Sequence, residues 1–319
     1  MSKLHISSTP HIHQKGSSTH NIMLDVTIAM LPAAIAGVVI FGLQALITIA
    51  ACVISAVAAE FLFNLCCHKK QTVGDFSAVV TGLLLALNLS VNVPVWQCVV
   101  GAVFAIVVVK GFFGGLGKNI VNPAIAARVF MLLTFASVAS VAEINPLFSL
   151  GDLEVVSGAT PLAALNGGVE AAKDAPSLLQ LLIGAHGGTI GETCGIALLI
   201  GFGYLVARKV IKWFVPAAYV ATVFVCYLLF GGFDVTFALQ HVLAGGLLLG
   251  AIFMATDYVT TPVTSLGRVV FCVGAGLLTF AIRQFGTYPE GVSIAILTMN
   301  LLTPFISDFT KKRTLGGIK

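Results

Sequence analysis

Apolar stretches long enough to cross a lipid bilayer recur from Leu24 almost to the end of the chain, each close to the roughly 20 residues that a membrane-spanning helix needs. A window of that length places spans near residues 24–42, 44–66, 75–92, 94–112, 123–143, 190–210, 212–231, 236–256, 266–285 and 289–307. The pattern predicts an all-α polytopic membrane protein of about ten transmembrane helices. Pro32, the pair Asn88 and Asn92, and Pro304 interrupt the first, third and tenth spans. Composition agrees: 58% of residues are hydrophobic and 9% charged, against a charged fraction of about 25% in soluble domains.

Residues 1–22 are polar and predict a cytosolic N-terminal arm. They do not read as a cleavable signal, so the first span itself directs insertion. The arm's His5, His11, His13 and His20 lack a partner cluster of cysteines or carboxylates, and no metal site is expected. The cysteines lie mostly inside apolar runs, apart from the neighbours Cys66 and Cys67, and read as buried free thiols. The formal charge of +4 comes from residues at span ends and suggests no nucleic-acid partner.

Those end charges orient the chain, because lysines and arginines near span ends resist translocation. Lys3, Lys15, Lys69, Lys70, Lys110, Lys118, Arg208, Lys209, Lys212, Arg268, Lys311, Lys312, Arg313 and Lys319 fall on one face, and Lys173 and Arg283 on the other. Both termini are therefore expected in the cytosol. A loop at 144–189 is expected outside, and the acids in it and at its flanks are Glu143, Asp152, Glu154, Glu170, Asp174 and Glu192. The organisation follows: arm 1–22, a first five-helix repeat at 23–143, the outer loop at 144–189, a second five-helix repeat at 190–307, and a cytosolic tail at 308–319.

The halves echo one another. Gly82-Leu83-Leu84-Leu85 before Pro94 resembles Gly246-Leu247-Leu248-Leu249 before Pro262, and Lys110-Gly111-Phe112-Phe113 resembles Arg283-Gln284-Phe285-Gly286. An odd number of spans per half inverts the second copy. That places Lys110 inside and Arg283 outside, as in inverted-repeat transporter folds.

The glycine-rich stretch from Gly111 to Asn119 has the wrong spacing for a phosphate loop, with Asn119 where a hydroxyl would hold magnesium. It reads as a turn into Asn122-Pro123, where Pro123 opens a helix. Met254-Ala255-Thr256-Asp257 through Pro262 is its polar counterpart, suited either to a headgroup or to helix capping. Glu60 and Arg128 stand inside spans at similar depth. Intramembrane charges are costly, so the two are candidate partners in a coupling pair. Asn88-Leu89-Ser90 matches a glycosylation sequon but lies at a span.

In the outer loop, Val156-Ser157-Gly158-Ala159-Thr160-Pro161 is a turn of small residues. It leaves the Thr160 hydroxyl open to a modifying enzyme. Several pieces together resemble a known family, the D subunits (RnfD) of the Rnf ion-translocating ferredoxin:NAD oxidoreductase complex. They are Ser8-Thr9-Pro10-His11, Gly114 to Gly117 followed by Asn122-Pro123-Ala124, Ser157-Gly158-Ala159-Thr160-Pro161-Leu162, and Met254-Ala255-Thr256-Asp257. A related family, the B subunits of the sodium-translocating NADH:quinone reductase, generally carries a longer N-terminal extension.

The resemblance implies FMN esterified through its phosphate to Thr160 by a flavin transferase, with Ser157, Gly158 and Ala159 as the recognition motif. Glu154 stands where that motif usually has Asp. It further implies a noncovalent riboflavin, partner subunits C, G, A, E and B, electron transfer between ferredoxin and NAD, and coupling to Na+ or H+ translocation in a bacterial or archaeal cell membrane. No residue of the chain is expected to act as a catalytic acid or base. Two other readings remain, a quinone-reducing subunit and a urea-transporter-like channel.

Overall fold

A computed structural model describes residues 18–139, 161–165, 168, 175–286 and 290–311. The turn at Ser157, Gly158, Ala159 and Thr160 lies outside the described residues.

The described chain is helical. Its helices are α1 (Thr19–Phe41), α2 (Leu43–Cys66), α3 (Ser77–Leu87), α4 (Val95–Val103, continuing as π-helix over Phe104–Gly111), α5 (Pro123–Thr134), α6 (Pro161–Leu165) and α7 (Leu178–Ile183). They continue with α8 (Gly195–Ala207), α9 (Phe214–Phe230), α10 (Val235–Leu243), α11 (Leu247–Leu249, continuing as π-helix over Gly250–Met254), α12 (Ser265–Phe285) and α13 (Val292–Phe309). Four of them, α1, α2, α12 and α13, are long and apolar enough to cross a membrane, and α10 with α11 makes a fifth candidate bent by 67°. The protein is thus a multi-pass membrane protein whose helices are unequal in length.

Each expected window holds a helix, but several are shorter than 20 residues. Pro32 and Pro304 sit within continuous helices, since neighbouring helices in a membrane protein tolerate a missing N–H. The third window instead stops at Leu87, where Asn88 leaves helical geometry. The eighth is broken at Ala244 to Gly246, between α10 and α11, with Gly245 at φ +71°. Thus α3 and α10 both end inside the protein.

Small residues set the close crossings, as expected where lipid removes the hydrophobic drive between helices. A methyl added to Gly201 of α8 would lie 2.3 Å from the Ala29 carbonyl oxygen of α1. Helix α1 packs on α8, α2 on α3 and α4, α9 on α10 and α12, α12 on α13, and α5 on α13. The outward faces carry exposed Ile54, Leu62, Leu277 and Phe305, as surfaces facing lipid should.

Candidate functional site

Two buried polar clusters, with different members, lie inside the bundle. The first joins α2, α3 and α4. Lys110, in the π-helical end of α4, donates to Glu60 Oε1 at 2.8 Å and to Ser77 Oγ at 2.6 Å. Thr72 Oγ1 donates to the same Glu60 oxygen at 2.6 Å, and Ser77 Oγ donates to Asp75. A π-turn widens the helix and re-aims its side chains, and such turns often mark functional positions.

Lys110 lines two clefts. One holds Glu60, Asn64, Lys69 and Lys70. The other, of about 770 Å³ including space open at its mouth, is lined by Ser77, Thr81, Asn119, Asn122, Thr256, Asp257 and Tyr258 among apolar residues. Asn122 caps α5 by accepting from the Ala124 and Ile125 N–H groups, and its amide donates to Asp257 at 3.4 Å. Burial pushes the Asp257 carboxyl up, against the lowering effect of bonds from the Val259 N–H and Thr260. The Asn119 side-chain oxygen is buried with no hydrogen-bond partner among the described residues.

The second cluster joins the C-terminal ends of α3 and α10. Asn88, at the C-terminus of α3, donates to Leu84 O and accepts from Arg128 of α5. Arg128 also pairs with Glu290, just before α13. The Glu290 carbonyl accepts from Arg283 Nε of α12 at 3.1 Å. Arg283 then caps α10, donating to His241 O at 2.7 Å and to Ala244 O at 3.2 Å. Fully paired guanidinium groups are compatible with deep burial, and Arg283 is 1% exposed and Arg128 5%.

The segment from Gly184 to Cys194 closes this cluster. Ile190 N–H donates to Leu89 O and Gly191 N–H to Leu87 O, satisfying carbonyls where α3 ends. Burial holds the His186 imidazole below its usual range, partly offset by the Gly187 carbonyl and by Glu192. Helix α6, which directly follows Thr160 in the chain, docks here through buried Leu162 and Leu165. Leu162 Cδ2 and Arg283 Nη2 lie 3.3 and 3.1 Å from the point where a methyl on Gly245 would stand.

Glu60 and Arg128 are therefore not each other's partners. Glu60 meets Lys110 of α4, while Arg128 of α5 meets Asn88 and Glu290. Sequence alone marks Lys110 and Arg283 as end charges and Glu192 as an outer acid, and it gives Glu290 no role. The signal it does carry for Lys110 and Arg283 is that they occupy echoing positions of the two halves.

A family model described as the NQR2, RnfD, RnfE family matches residues 5–316. The chain belongs to the NQR2, RnfD, RnfE family. It is similar to the D subunit of the Na+-translocating ferredoxin:NAD+ oxidoreductase complex of Acetobacterium woodii, at 47% identity over 99% of this chain and 96% of the relative. Another family relative is the D subunit of the proton-translocating ferredoxin:NAD+ oxidoreductase complex of Clostridium ljungdahlii, 38% identical over 98% of this chain and 96% of the relative. The D subunit of the ion-translocating oxidoreductase complex of Stutzerimonas stutzeri is 36% identical over 94% of this chain and 93% of that protein.

Proposed function

We propose that the protein is the D-type membrane subunit of an ion-translocating ferredoxin:NAD+ oxidoreductase complex, carrying electrons through FMN on Thr160 and helping to couple them to Na+ or H+ movement. The observation that carries this reading is 47% identity, across almost the whole chain, to a relative of that name. The partners in this reading are subunits C, G, A, E and B, with a flavin transferase acting on Thr160.

The attachment chemistry fits the residues. A phosphoester needs one hydroxyl oxygen, which Thr160 supplies, and Ser157, Gly158 and Ala159 leave room around it. The docking of Pro161 and Leu162, both buried, supports a fixed exit point for the modified loop beside α10. Bound flavin supplies the redox chemistry, while the protein supplies position and electrostatic surroundings. For riboflavin, we propose the cleft between Asn119, Asn122 and Asp257, because it combines apolar walls with an amide oxygen that has no partner among the described residues.

The cell-membrane topology with cytosolic termini and an outer flavin loop rests on fourteen lysines and arginines on one face. Ten spans in two inverted repeats are supported by matching neighbours: α2 packs on α3 and α4 as α9 packs on α10 and α12. In-gel flavin fluorescence tests the central point. Protein made with its transferase should fluoresce after denaturation, Thr160→Val should not, and Ser157→Ala should retain the signal. A nonfluorescent wild type under those conditions sinks the flavin reading.

A further inference from the structure

The cleft where α2 and the π-helical end of α4 meet encloses about 670 Å³, including space open at its mouth, and Lys69, Lys70, Lys110 and Glu60 line it. Lys110 is held by Glu60 and Ser77. Lys69 and Lys70 are exposed and make no ion pair among the described residues. Lys69 Nζ lies 4.9 Å over the Phe63 ring, which also lines the cleft. Exposed Lys118 folds back over Gly114 in the same wall, its Nζ 3.7 Å from the point where a methyl on that glycine would stand. Among the described residues the carboxylates facing these lysines are Glu60 and Asp75, and Asp75 accepts from Ser77. The C-terminal ends of α2 and α4 offset part of the lysine surplus, and the N-terminal end of α3 restores part of it. The unpaired charge lies at the mouth, on Lys69, Lys70 and Lys118.

Two further observations define what fits there. Apolar surface adjoins the lysines: Phe112 is 71% exposed with its ring centroid 6.0 Å from that of Phe63, and Leu62 and Leu65 of α2 are each 57% exposed. A basic pocket between membrane helices with such a rim suits an anionic lipid headgroup. Glu60 adds a second requirement. Its Oε1 accepts from both Lys110 and Thr72, while Oε2 is buried with no hydrogen-bond partner among the described residues. A ligand that completes Glu60 must donate a hydrogen bond. An ionised phosphodiester has no donor and neither does choline, whereas a glycerol headgroup combines phosphate oxygens for the lysines with hydroxyls for Glu60.

We propose that this cleft holds the headgroup of an anionic phospholipid whose alcohol carries free hydroxyls, phosphatidylglycerol being the simplest. Lys69 and Lys70 take the phosphate, a headgroup hydroxyl donates to Glu60, and the acyl chains lie along the exposed apolar side of α2. The site does not depend on flavin at Thr160.

The test is thermal unfolding of the purified, delipidated full-length protein in a non-ionic detergent, titrated with phosphatidylglycerol, phosphatidylmethanol, phosphatidylcholine or water-soluble glycerophosphoglycerol. Phosphatidylglycerol should raise the wild-type midpoint by about 2 °C or more in a saturable manner, and phosphatidylcholine should not. Lys69→Gln with Lys70→Gln, at two exposed positions, should raise the half-effect concentration of phosphatidylglycerol about tenfold or more. Phosphatidylmethanol carries the same charge without a donor, and wild type should need several-fold more of it. That preference should vanish in Glu60→Gln, whose amide nitrogen stands where Oε2 was. If Glu60→Gln does not fold, native mass spectrometry of wild type with the two anionic lipids in competition reads the preference directly. Equal responses to phosphatidylglycerol and phosphatidylcholine overturn the inference, as does an unchanged half-effect concentration in the double lysine variant. Equal affinity for phosphatidylmethanol overturns the headgroup assignment. An equal gain from glycerophosphoglycerol at the same concentration overturns the lipid and assigns the cleft to a soluble phosphodiester.

Discussion

Lys110 Nζ stands 2.8 Å from Glu60 Oε1, joining residues fifty positions apart inside the bundle. Both side chains are 5% exposed, and removing one member of such a pair strands a buried charge. Lys110→Met should therefore destabilise the protein by about 3–5 kcal/mol, whereas Lys110→Met with Glu60→Gln should recover much of that loss. Thermal unfolding in detergent gives the comparison. Glu60→Gln and Arg128→Gln, having different partners, should instead combine additively to within about 0.5 kcal/mol.

The separate partners of Glu60 and Arg128 show where sequence reading stops. Span hydrophobicity reports that a helix exists, and it places Glu60 and Arg128 at similar depth. It does not report the rotation of α2 or α5 about its axis, and rotation decides that Glu60 meets α4 while Arg128 meets Asn88 and Glu290. The break at Gly245 and Gly246 is hidden for a similar reason: flanking leucines keep the window apolar although α10 and α11 diverge by 67°. Asn88 is legible as an interruption because its amide competes with helical geometry. Ser157 to Thr160 is legible as a motif, and that turn lies outside the described residues.

Close helix crossing yields a paired comparison on α8. A methyl at Gly201 would press to 2.3 Å from the Ala29 carbonyl oxygen, whereas one at Gly203 meets nothing within 4 Å. Gly201→Ala should cost about 1–3 kcal/mol through forced separation of α1 and α8. Gly203→Ala should be neutral or stabilising by up to about 1 kcal/mol through helix propensity. Equal unfolding midpoints for the two variants would contradict the crossing geometry.

Sidedness can be read from cysteine chemistry. Native Cys66 and Cys67 are exposed where α2 ends, near Lys69 and Lys70, and in the proposed topology they face the cytosol. They should react with an impermeant maleimide only after cells are opened. Ala175→Cys, in a background with Cys66→Ser and Cys67→Ser, should react in intact cells. The reverse pattern would invert the topology and move Thr160 to the cytosolic face.

Arg283 provides the sharpest test of the junction between the broken helix and the loop that follows α12. Its guanidinium donates in three directions, to the carbonyls of His241, Ala244 and Glu290. Lysine keeps the charge but presents a single nitrogen, and its flexible stem cannot reproduce that planar fork. Arg283→Lys should leave at least one of these buried carbonyls unsatisfied, at about 1–3 kcal/mol. The first hydrogen bond to break should be at the end of α10, where the last carbonyls have no helical donor of their own. Because Leu162 packs at the same point over Gly245, the segment bearing α6 should loosen with it. Limited proteolysis of the full-length protein should then cut near residues 161–165 faster in Arg283→Lys than in wild type. Leu162→Ala, which leaves the arginine in place but opens a cavity costing about 2–5 kcal/mol, should reproduce that sensitivity. If Arg283→Lys unfolds at the wild-type midpoint and resists protease equally, Arg283 does not hold the end of α10.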